Sequence, residues 1–330
     1  MVFVCFNTYN TYFSRTSNTT DVFNYGAPYD IVENKFLRFL FKIHVSHRAN
    51  RLFELPFKGL WNKYYKRFII KNGLEKERVC FLFDAHFYWA VNSKTIKYIR
   101  KFCKESFFCI KFTDKISMYK NLYKRFPTIE EMKEKCNLLF TYNIYDSIEY
   151  KIPTNPPVFQ IEKNYEENTQ PYSDILFVGK NKGRLNKLIN IYDSFDRVGL
   201  KCLFFVTEVS DKEIIKRERI VYNQILVYQD VLKLVEHSKC IINVVQEEAN
   251  GITLREFEAF FFDKLLLTDN YFLRSSVLAN EKQIIYLDED YINKVKLLIN
   301  KKLEHKGYEN LFNEEHYYNW LKQELENGAK

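Results

Sequence analysis

Two short segments combine charged side chains with a strand-to-helix turn, and the first is residues 179–184. It reads Gly-Lys-Asn-Lys-Gly-Arg and follows an apolar strand candidate at 174–178. A glycine-containing turn exposes backbone N–H groups, and the helix N-terminus adds partial positive charge. The segment predicts a cradle for a diphosphate, built from Gly179, Lys180, Lys182 and Arg184. It matches neither the P-loop nor the G-x-G-x-x-G pattern, and a merely solvated basic turn is the alternative.

The second segment begins at Gly251, in a loop that leads into a helix starting at Thr253. Arg255 and Glu258 are three residues apart and therefore share a face of this helix. We expect that face to lie at the carboxyl end of the preceding strand, where open α/β sheets bind ligands. Arg255 could grip a diphosphate bidentately, and Glu258 could accept two hydrogen bonds from a ribose diol. An exposed Arg–Glu pair of little energetic value is the alternative.

Thr253 and Glu256 have the T-x-x-E spacing of a capping box at the start of that helix. We interpret Glu256 as a structural residue of the helix start. Both segments thus depend on the strands and helices around them.

Short apolar runs alternate with amphipathic stretches along the chain. The predicted strands are 79–83, 107–112, 137–142, 174–178, 201–206, 225–228, 239–245, 264–268 and 283–287. The predicted helices are 93–104, 128–135, 184–195, 211–221, 230–237, 253–262, 289–303 and 311–327. Strands of this length separated by single helices indicate βαβ units and parallel sheets.

The length of 330 residues and the composition indicate two folded domains. Hydrophobic residues make up 46% of the chain, which excludes disorder as the main state. Residues 151–172 hold four of the seven prolines and show little helical period, so we interpret them as the linker.

The seven cysteines are odd in number and show no C-x-x-C spacing. Several lie in apolar strand-like runs, so we expect reduced core residues of a cytosolic protein and neither disulfides nor zinc ligands. The apolar N-terminus, residues 1–6, reads as a buried strand and not as a signal peptide. No apolar run approaches the ~20 residues that span a bilayer.

The positive charge is concentrated in residues 35–71, which we call the basic aromatic segment. It contains ten Lys or Arg and one acid, a charge of +9, whereas the whole chain carries +8. Nine Phe, Tyr or Trp residues are interleaved with these charges. The pattern suits an anionic membrane surface or a nucleic acid, and a Lys-rich helical face over a core is the plainer alternative.

Residues 251–270, from Gly-Ile-Thr-Leu-Arg-Glu-Phe-Glu-Ala to Leu-Leu-Leu-Thr-Asp-Asn, resemble the nucleotide-sugar segment of GT-B glycosyltransferases. Residues 177–184 are similar to the first strand-helix loop of the same domain, and 228–245 fit between them. More narrowly, the chain resembles bacterial glycosyltransferases of capsule, exopolysaccharide and lipopolysaccharide synthesis. Retaining members of the family usually place two glutamates eight residues apart, and if Glu258 is the second, the first position is Asn250. Glu248 and Glu256 have the same spacing in a shifted register, and Asp263 replaces the usual glycine.

The resemblance implies an α/β GT-B fold, with two Rossmann-like domains facing a central cleft. It assigns acceptor binding to residues 1–155 and donor binding to 156–310, with a C-terminal helix in 311–330 that crosses back to the first domain. It also implies a hexosyltransferase that uses a UDP- or GDP-linked sugar as substrate, without a cofactor or metal. The cationic residues of the donor loops would neutralise the diphosphate leaving group. Gly251 and Thr253 would contribute to donor binding beside them.

The acceptor domain would supply any catalytic base. Asp84 and His86 follow the strand candidate at 79–83, and Asp114 follows that at 107–112. A carboxylate or imidazole there could deprotonate an acceptor hydroxyl if the reaction inverts the anomeric configuration.

The implied acceptor is a glycan, in particular a lipid-linked one, and the enzyme would be cytoplasmic and peripheral at the inner face of the cell membrane. The basic aromatic segment would contact the anionic lipid surface, and no nucleic acid is expected as a partner. Two alternatives remain: a nucleic-acid-binding protein that uses this segment, and an inactive module that binds a sugar nucleotide.

Overall fold

The computed structural model describes residues 1–6, 21–123, 125–155, 158, 172–245, 251–276, 278–288, 290–304, 307–308 and 313–328. The chain divides into two units, Met1–Gln160 with Phe312–Lys330, and Ile161–Leu311. Most of the predicted linker, and the loop residues 246–250 with Glu248 and Asn250, lie outside the described residues.

The first unit is built on a five-stranded parallel sheet. Its strands are β1 (Val2–Phe6), β2 (Val22–Tyr25), β3 (Val79–Asp84), β4 (Ser106–Phe112) and β5 (Leu138–Thr141). Its helices are α1 (Lys35–His44), α2 (Asn62–Lys71), α3 (Ser93–Ile99), α4 (Ile116–Leu122), α5 (Ile129–Lys133) and α6 (Ile144–Tyr150). The strand order β2-β1-β3-β4-β5 is a doubly wound arrangement whose order reverses between β1 and β3.

Alternate residues of the first sheet face two separate cores, because successive side chains of a strand point to opposite faces. Val4 and Phe6 belong to the larger core, together with Phe41 of α1 and Tyr65 of α2. The opposite face, including Cys5, is covered by the C-terminal helix α11 (Glu314–Gly328). Its apolar side chains in that core are Tyr317, Tyr318, Leu321 and Leu325.

The second unit contains a six-stranded parallel sheet. Its strands are β6 (Ser173–Lys180), β7 (Cys202–Thr207), β8 (Ile220–Tyr222), β9 (Ser238–Asn243), β10 (Leu265–Thr268) and β11 (Ile284–Tyr286). Its helices are α7 (Leu185–Asp196), α8 (Tyr228–Glu236), α9 (Leu254–Phe261) and α10 (Tyr291–Leu298). The order β8-β7-β6-β9-β10-β11 is the 3-2-1-4-5-6 order of the Rossmann fold.

Two of the predicted elements in the second unit are wrong. The predicted helix at 211–221 is a short 3₁₀ turn, Asp211–Glu213, followed by the edge strand β8. Ile220 and Val221 are β-branched and pair with β7, so strand propensity and sheet pairing prevail over the helical period. The predicted strand at 225–228 is a loop with Ile225 88% exposed, and α8 begins at Tyr228.

All seven cysteines are buried with free thiols. Within the described ranges, no helix is both long and apolar enough to cross a bilayer.

Candidate functional site

The predicted donor residues lie at the carboxyl edge of the second sheet. The loop after β6 carries residues 179–184, and the loop after β9 leads to α9. Strands β6 and β9 are neighbours, and the strand order reverses between them. Open parallel sheets bind ligands in the crevice at this reversal, so the topology brings both predicted segments to the expected position.

The loop after β6 is a tight turn with a defined backbone path. Arg184 N donates to the carbonyl oxygen of Asn181 (3.0 Å), and the two residues between them, Lys182 and Gly183, have φ of 46° and 79°. Positive φ at both central residues defines a type I′ turn, which glycine adopts at little cost. At Gly179, an added Cβ would lie 3.1 Å from the ring of Phe177, a tight contact that favours a glycine there.

Arg184 is held inside this loop. Its guanidinium donates to the carbonyl oxygens of Lys180 (3.0 Å) and Val244, and it lies over the ring of Phe177. Burial lowers the pKa of Arg184, with Asp269 opposing the effect and Arg255 adding to it. Arg184 therefore joins the ends of β6 and β9. The sequence did not indicate this structural role.

The lysines of the loop remain at the surface. Lys180 Nζ lies 2.6 Å from a carboxylate oxygen of Glu208, and both side chains are 56% exposed. An ion pair this exposed contributes little to stability, so an anionic ligand could compete for the lysine at small cost.

Arg255 and Glu258 form the predicted pair on one face of α9. Arg255 donates to a carboxylate oxygen of Glu258 and, through Nη2, to the carbonyl oxygen of Val178 at the end of β6 (3.0 Å). The bond to Val178 places the guanidinium beside the glycine turn. Two of its five N–H groups are used in these contacts, and its side chain is 18% exposed.

Glu258 is fully buried, unlike the exposed pair that was the alternative. Burial raises the pKa of Glu258, whereas Arg255 and Tyr228 favour the ionised carboxylate. The arginine beside it partly compensates the burial of this carboxylate, which has no surface open to a ligand in the structure.

Glu256 has no exposed surface and accepts hydrogen bonds from three neighbouring elements. Its Oε1 accepts from Asn243 Nδ2 at the end of β9 (2.6 Å) and from Asn270 Nδ2 after β10 (2.8 Å). Its Oε2 accepts from the backbone N–H of Thr253 (2.7 Å), and the capping box is confirmed. Asn270 Nδ2 also donates to the carbonyl oxygen of Gly251 (2.9 Å), whose φ is 150°. Thr253 and Gly251 are therefore positioned by this carboxylate.

Sequence reasoning missed Asn243 and Asn270. The available signal was an asparagine at or just after the end of two adjacent buried strands. Asp263, which replaces the family's usual glycine, has a φ of 52°, in the left-handed region that glycine favours and aspartate tolerates.

The candidate catalytic residues meet at the carboxyl edge of the first sheet, next to its own reversal of strand order. His86 Nε2 lies 3.9 Å from Asp114 Oδ2. Asp84 is buried, and its Oδ1 accepts from the backbone N–H of His86 (2.9 Å), while Oδ2 accepts from Thr113 Oγ1 (2.8 Å). Asp84 thus positions the loop, whereas His86 and Asp114 have 21% and 37% of their side chains exposed.

Two further residues, which the sequence did not indicate, hold His86. The Tyr123 hydroxyl lies 2.8 Å from His86 Nδ1, and His47 Nε2 donates to the His86 carbonyl oxygen (2.9 Å). Trp89 Nε1 donates to His47 Nδ1 (2.9 Å), and His47 stacks on Tyr123. The neutral His47 satisfies both bonds, and burial lowers its pKa to about 4.

The expectation of metal-free donor binding rested in part on the absence of any Asp-x-Asp sequence, and that was wrong, because the chain contains one at 288–290. Asp288 pairs with Arg274 (3.1 Å) and Lys294 (3.4 Å), and residue 289 is outside the described residues. No group of three or more His, Cys, Asp or Glu able to hold a metal ion occurs in the described part of the chain.

Glu256→Gln is expected to destabilise the second unit by about 2 kcal/mol or more, because its amide NH2 would face either the Thr253 backbone N–H or the two asparagine donors in a buried site. Urea unfolding measures the effect. Glu208→Gln, at an exposed glutamate near the same edge, is the matched control and should change stability by less than about 0.5 kcal/mol. Equal stability of the two variants would contradict the structural role of Glu256.

We expect the free energy of unfolding to depend on pH because of the buried His47. Its pKa is about 4 in the folded chain against 6.5 ordinarily, so the unfolded chain takes up the proton first as the pH falls. The free energy of unfolding is therefore unaffected by the titration of His47 above pH 6.5. It falls progressively as the pH decreases toward 4, by about 3 kcal/mol in total. His47→Gln, which cannot titrate, should remove that part of the pH dependence in urea unfolding.

Wild type and His47→Gln are compared at several pH values between 7 and 4. His316→Gln, at an exposed histidine of α11, should keep the wild-type dependence. A His47→Gln profile parallel to that of wild type would refute a buried, neutral His47.

No protein-family model and no curated protein matches the sequence. The structure is similar to an alpha-glucosyltransferase solved with UDP-glucose and DNA containing an abasic site. That similarity has a TM-score of 0.50 and 11% identity, and it covers 81% of this chain and 79% of that chain.

Two further similar structures have lower scores. The first is a trehalose-6-phosphate structure from E. coli bound with UDP-2-fluoro glucose (TM-score 0.48, 12% identity, covering 94% of this chain and 88% of that one). The second is T4 phage BGT in complex with its UDP-glucose substrate (TM-score 0.41, 14% identity, covering 76% and 82%). The first comparison and the two doubly wound parallel sheets show that this chain has the GT-B glycosyltransferase fold.

Proposed function

We propose that the protein is a hexosyltransferase that transfers a sugar from a nucleoside diphosphate to an acceptor hydroxyl. The observation that carries this proposal is the position of Arg255. Its guanidinium joins the end of β6 to the buried Glu258 at the strand-order reversal of a 3-2-1-4-5-6 sheet. A cation and a shielded carboxylate at this crevice match the two polar parts of a nucleoside diphosphate, its phosphates and its ribose.

The donor diphosphate would lie against the glycine turn of residues 179–184. Lys180 and Lys182 would neutralise its charge, and Arg255 would bind it with the N–H groups not engaged by Glu258 and Val178. Glu258 would accept hydrogen bonds from the ribose once donor binding uncovers its carboxylate, which has no exposed surface here. The turns at Gly179 and Gly251 would bring backbone close to the ligand. Arg184 and Thr253 support these contacts through the loop backbone and the helix start.

Fixed cations of this kind stabilise the leaving diphosphate as charge develops on it. Donor binding without a metal ion therefore remains our proposal. UDP-glucose is the first donor to test, because the similar alpha-glucosyltransferase was solved with it, and GDP-linked sugars are the second class.

The base would come from the first unit. His86 is our candidate to remove the acceptor proton, with Asp114 stabilising the imidazolium that forms. Asp84 would position the loop, and Tyr123 would orient the ring. This role applies if the reaction inverts the anomeric configuration.

We further propose that the acceptor is a glycan, in particular a lipid-linked one, used in bacterial cell-surface polysaccharide synthesis at the inner face of the cell membrane. The resemblance to enzymes of that class supports this assignment, as does the basic aromatic segment. Nucleic acid is the second candidate acceptor or partner, favoured by the +9 charge of the same segment.

Arg255→Ala is expected to weaken binding of the matching nucleoside diphosphate by at least about tenfold, since it removes the cation at the crevice. Calorimetry with UDP, GDP and ADP, with and without EDTA, measures this. Arg274→Ala is the matched control in the same unit, because Arg274 pairs with Asp288 and has no place in the proposed site. Binding of no nucleotide by wild type would contradict the proposal, and loss of binding in EDTA would refute its metal-free form.

His86→Gln is expected to slow sugar transfer by about 100-fold or more while leaving nucleotide affinity within about twofold, because a general base acts on the acceptor. Release of the nucleotide product from the donor, with water or a glycan mixture as acceptor, measures the rate. His316→Gln on α11 is the control and should keep the wild-type rate. An unchanged rate in His86→Gln would exclude His86 as the base.

A further inference from the structure

Helix α1 exposes an apolar stripe. Phe36, Phe39, Leu40 and Ile43 are 68%, 57%, 37% and 43% exposed. At about 100° per residue these four positions lie on one face of the helix, and the opposite side contributes Phe41, which is 1% exposed, to the core. The helix thus has two apolar faces, one buried in the protein and one without a partner among the described residues.

The following loop extends the apolar surface. Leu52, Phe53, Phe57 and Leu60 are 83%, 59%, 77% and 64% exposed. Of the twenty exposed large hydrophobic residues in the described chain, nine lie between 36 and 70. Such a concentration exceeds the scattered exposure that is ordinary on a protein surface.

The loop is held in one conformation that presents these side chains. His44 Nε2 donates to the carbonyl oxygen of Pro56 (2.7 Å), and His44 Nδ1 accepts from Trp61 Nε1 (2.7 Å). Asn50 Nδ2 donates to the carbonyl oxygen of His44 (2.9 Å). Phe57 has a φ of 61°, an uncommon value for a bulky residue. The end of α1 and the loop therefore form one connected surface.

Exposed cations border the apolar residues. On α1, Lys35 and Lys42 lie beside the stripe, and Arg48, Arg51, Lys63 and Arg67 are exposed further along the segment. Glu54 is the only acid between 35 and 71, and it pairs with Lys58 (3.0 Å). The border of the apolar surface is therefore almost entirely positive.

We propose that this surface, residues 36–60 with its flanking cations, docks the first unit onto an anionic lipid bilayer. The phenylalanine and leucine side chains would enter the boundary between headgroups and acyl chains, and the cations would bind lipid headgroups. The proposal concerns membrane association of the protein and does not depend on the sugar-transfer activity.

The chemistry of the surface favours a bilayer over a nucleic acid. Nucleic-acid surfaces use cations with aromatic rings that stack on bases. Leu40, Ile43, Leu52 and Leu60 offer neither a ring nor a hydrogen-bonding group, and they gain only by leaving water. A bilayer with anionic headgroups provides an apolar interior for these side chains and a negative surface for the cations that border them.

Vesicle co-sedimentation of the full chain tests the proposal. The vesicles contain phosphatidylcholine alone or with about 30% phosphatidylglycerol, at about 50 and 500 mM salt. We expect binding to the anionic vesicles only, weakened at least about tenfold at high salt. Phe36→Ser combined with Phe39→Ser should weaken binding by at least about tenfold at low salt.

The matched control combines Ile148→Ser with Leu297→Ser, whose native side chains are 69% and 67% exposed elsewhere on the protein. Its binding should stay within about twofold of wild type. Lys35→Glu with Lys42→Glu should weaken binding to anionic vesicles, whereas Lys296→Glu with Lys301→Glu should not. Circular dichroism checks that each variant is folded.

A local readout is available because all seven native cysteines are buried. A polarity-sensitive dye on Leu52→Cys should brighten and shift to the blue on anionic vesicles, and the same dye on Ile148→Cys should not. The proposal is overturned by absence of vesicle binding, by equal binding of the Phe36 and Phe39 double variant, or by an unchanged dye at position 52. Preferential binding of RNA or DNA, or a dimer that the double variant abolishes in place of vesicle binding, would also overturn it.

Discussion

The second unit depends on one buried carboxylate. Glu256 accepts hydrogen bonds from Asn243 at the end of β9, from Asn270 after β10 and from Thr253, which caps the helix that carries Glu256. An unpartnered buried charge would be costly, so the three elements must keep these positions together. That requirement fixes the first turn of α9, and the first turn fixes the directions of Arg255 and Glu258.

The first unit uses the same physical device for a different purpose. Asp84 is buried at the end of β3, and it accepts from the backbone of His86 and from Thr113. In each unit, a carboxylate at the carboxyl edge organises a loop, and a neighbouring side chain remains available for chemistry. The available groups differ: an arginine with lysines in the second unit, and a histidine beside an aspartate in the first. This difference suits the binding of a diphosphate in one unit and the removal of a proton in the other.

Local patterns predicted much of this arrangement. The i,i+3 spacing of Arg255 and Glu258 and the capping box at Thr253 act within one helical turn, and the structure confirms both. The alternation of strands and helices predicted the parallel sheets, because each βαβ unit is contiguous in the sequence. The inward fold of Arg184 could not be read from the sequence, because its partners include Val244, sixty residues away. The wrong prediction of a helix at 211–221 also came from a contact distant in sequence, because pairing with β7 makes Ile220 and Val221 part of a strand.

Burial was the property least accessible to sequence reasoning. An Arg–Glu pair on a helix reads as a surface pair, whereas Glu258 is fully buried. The basic aromatic segment shows the converse: apolar residues that would ordinarily enter the core, such as Phe36 and Phe39, remain exposed because Phe41 occupies the buried side of α1. Composition indicated the charge of this segment, and only the structure distinguishes its buried from its exposed aromatic side chains.

The central claim is that the turn at 179–184 and the start of α9 form one binding site for a nucleoside diphosphate. Hydrogen exchange with and without UDP tests it most directly. We expect slower exchange, on binding, of the backbone amides in 179–184 and 251–256, with little change at the 3₁₀ turn and edge strand of 211–222. Protection confined to other parts of the chain, or slower exchange in only one of the two segments, would contradict it.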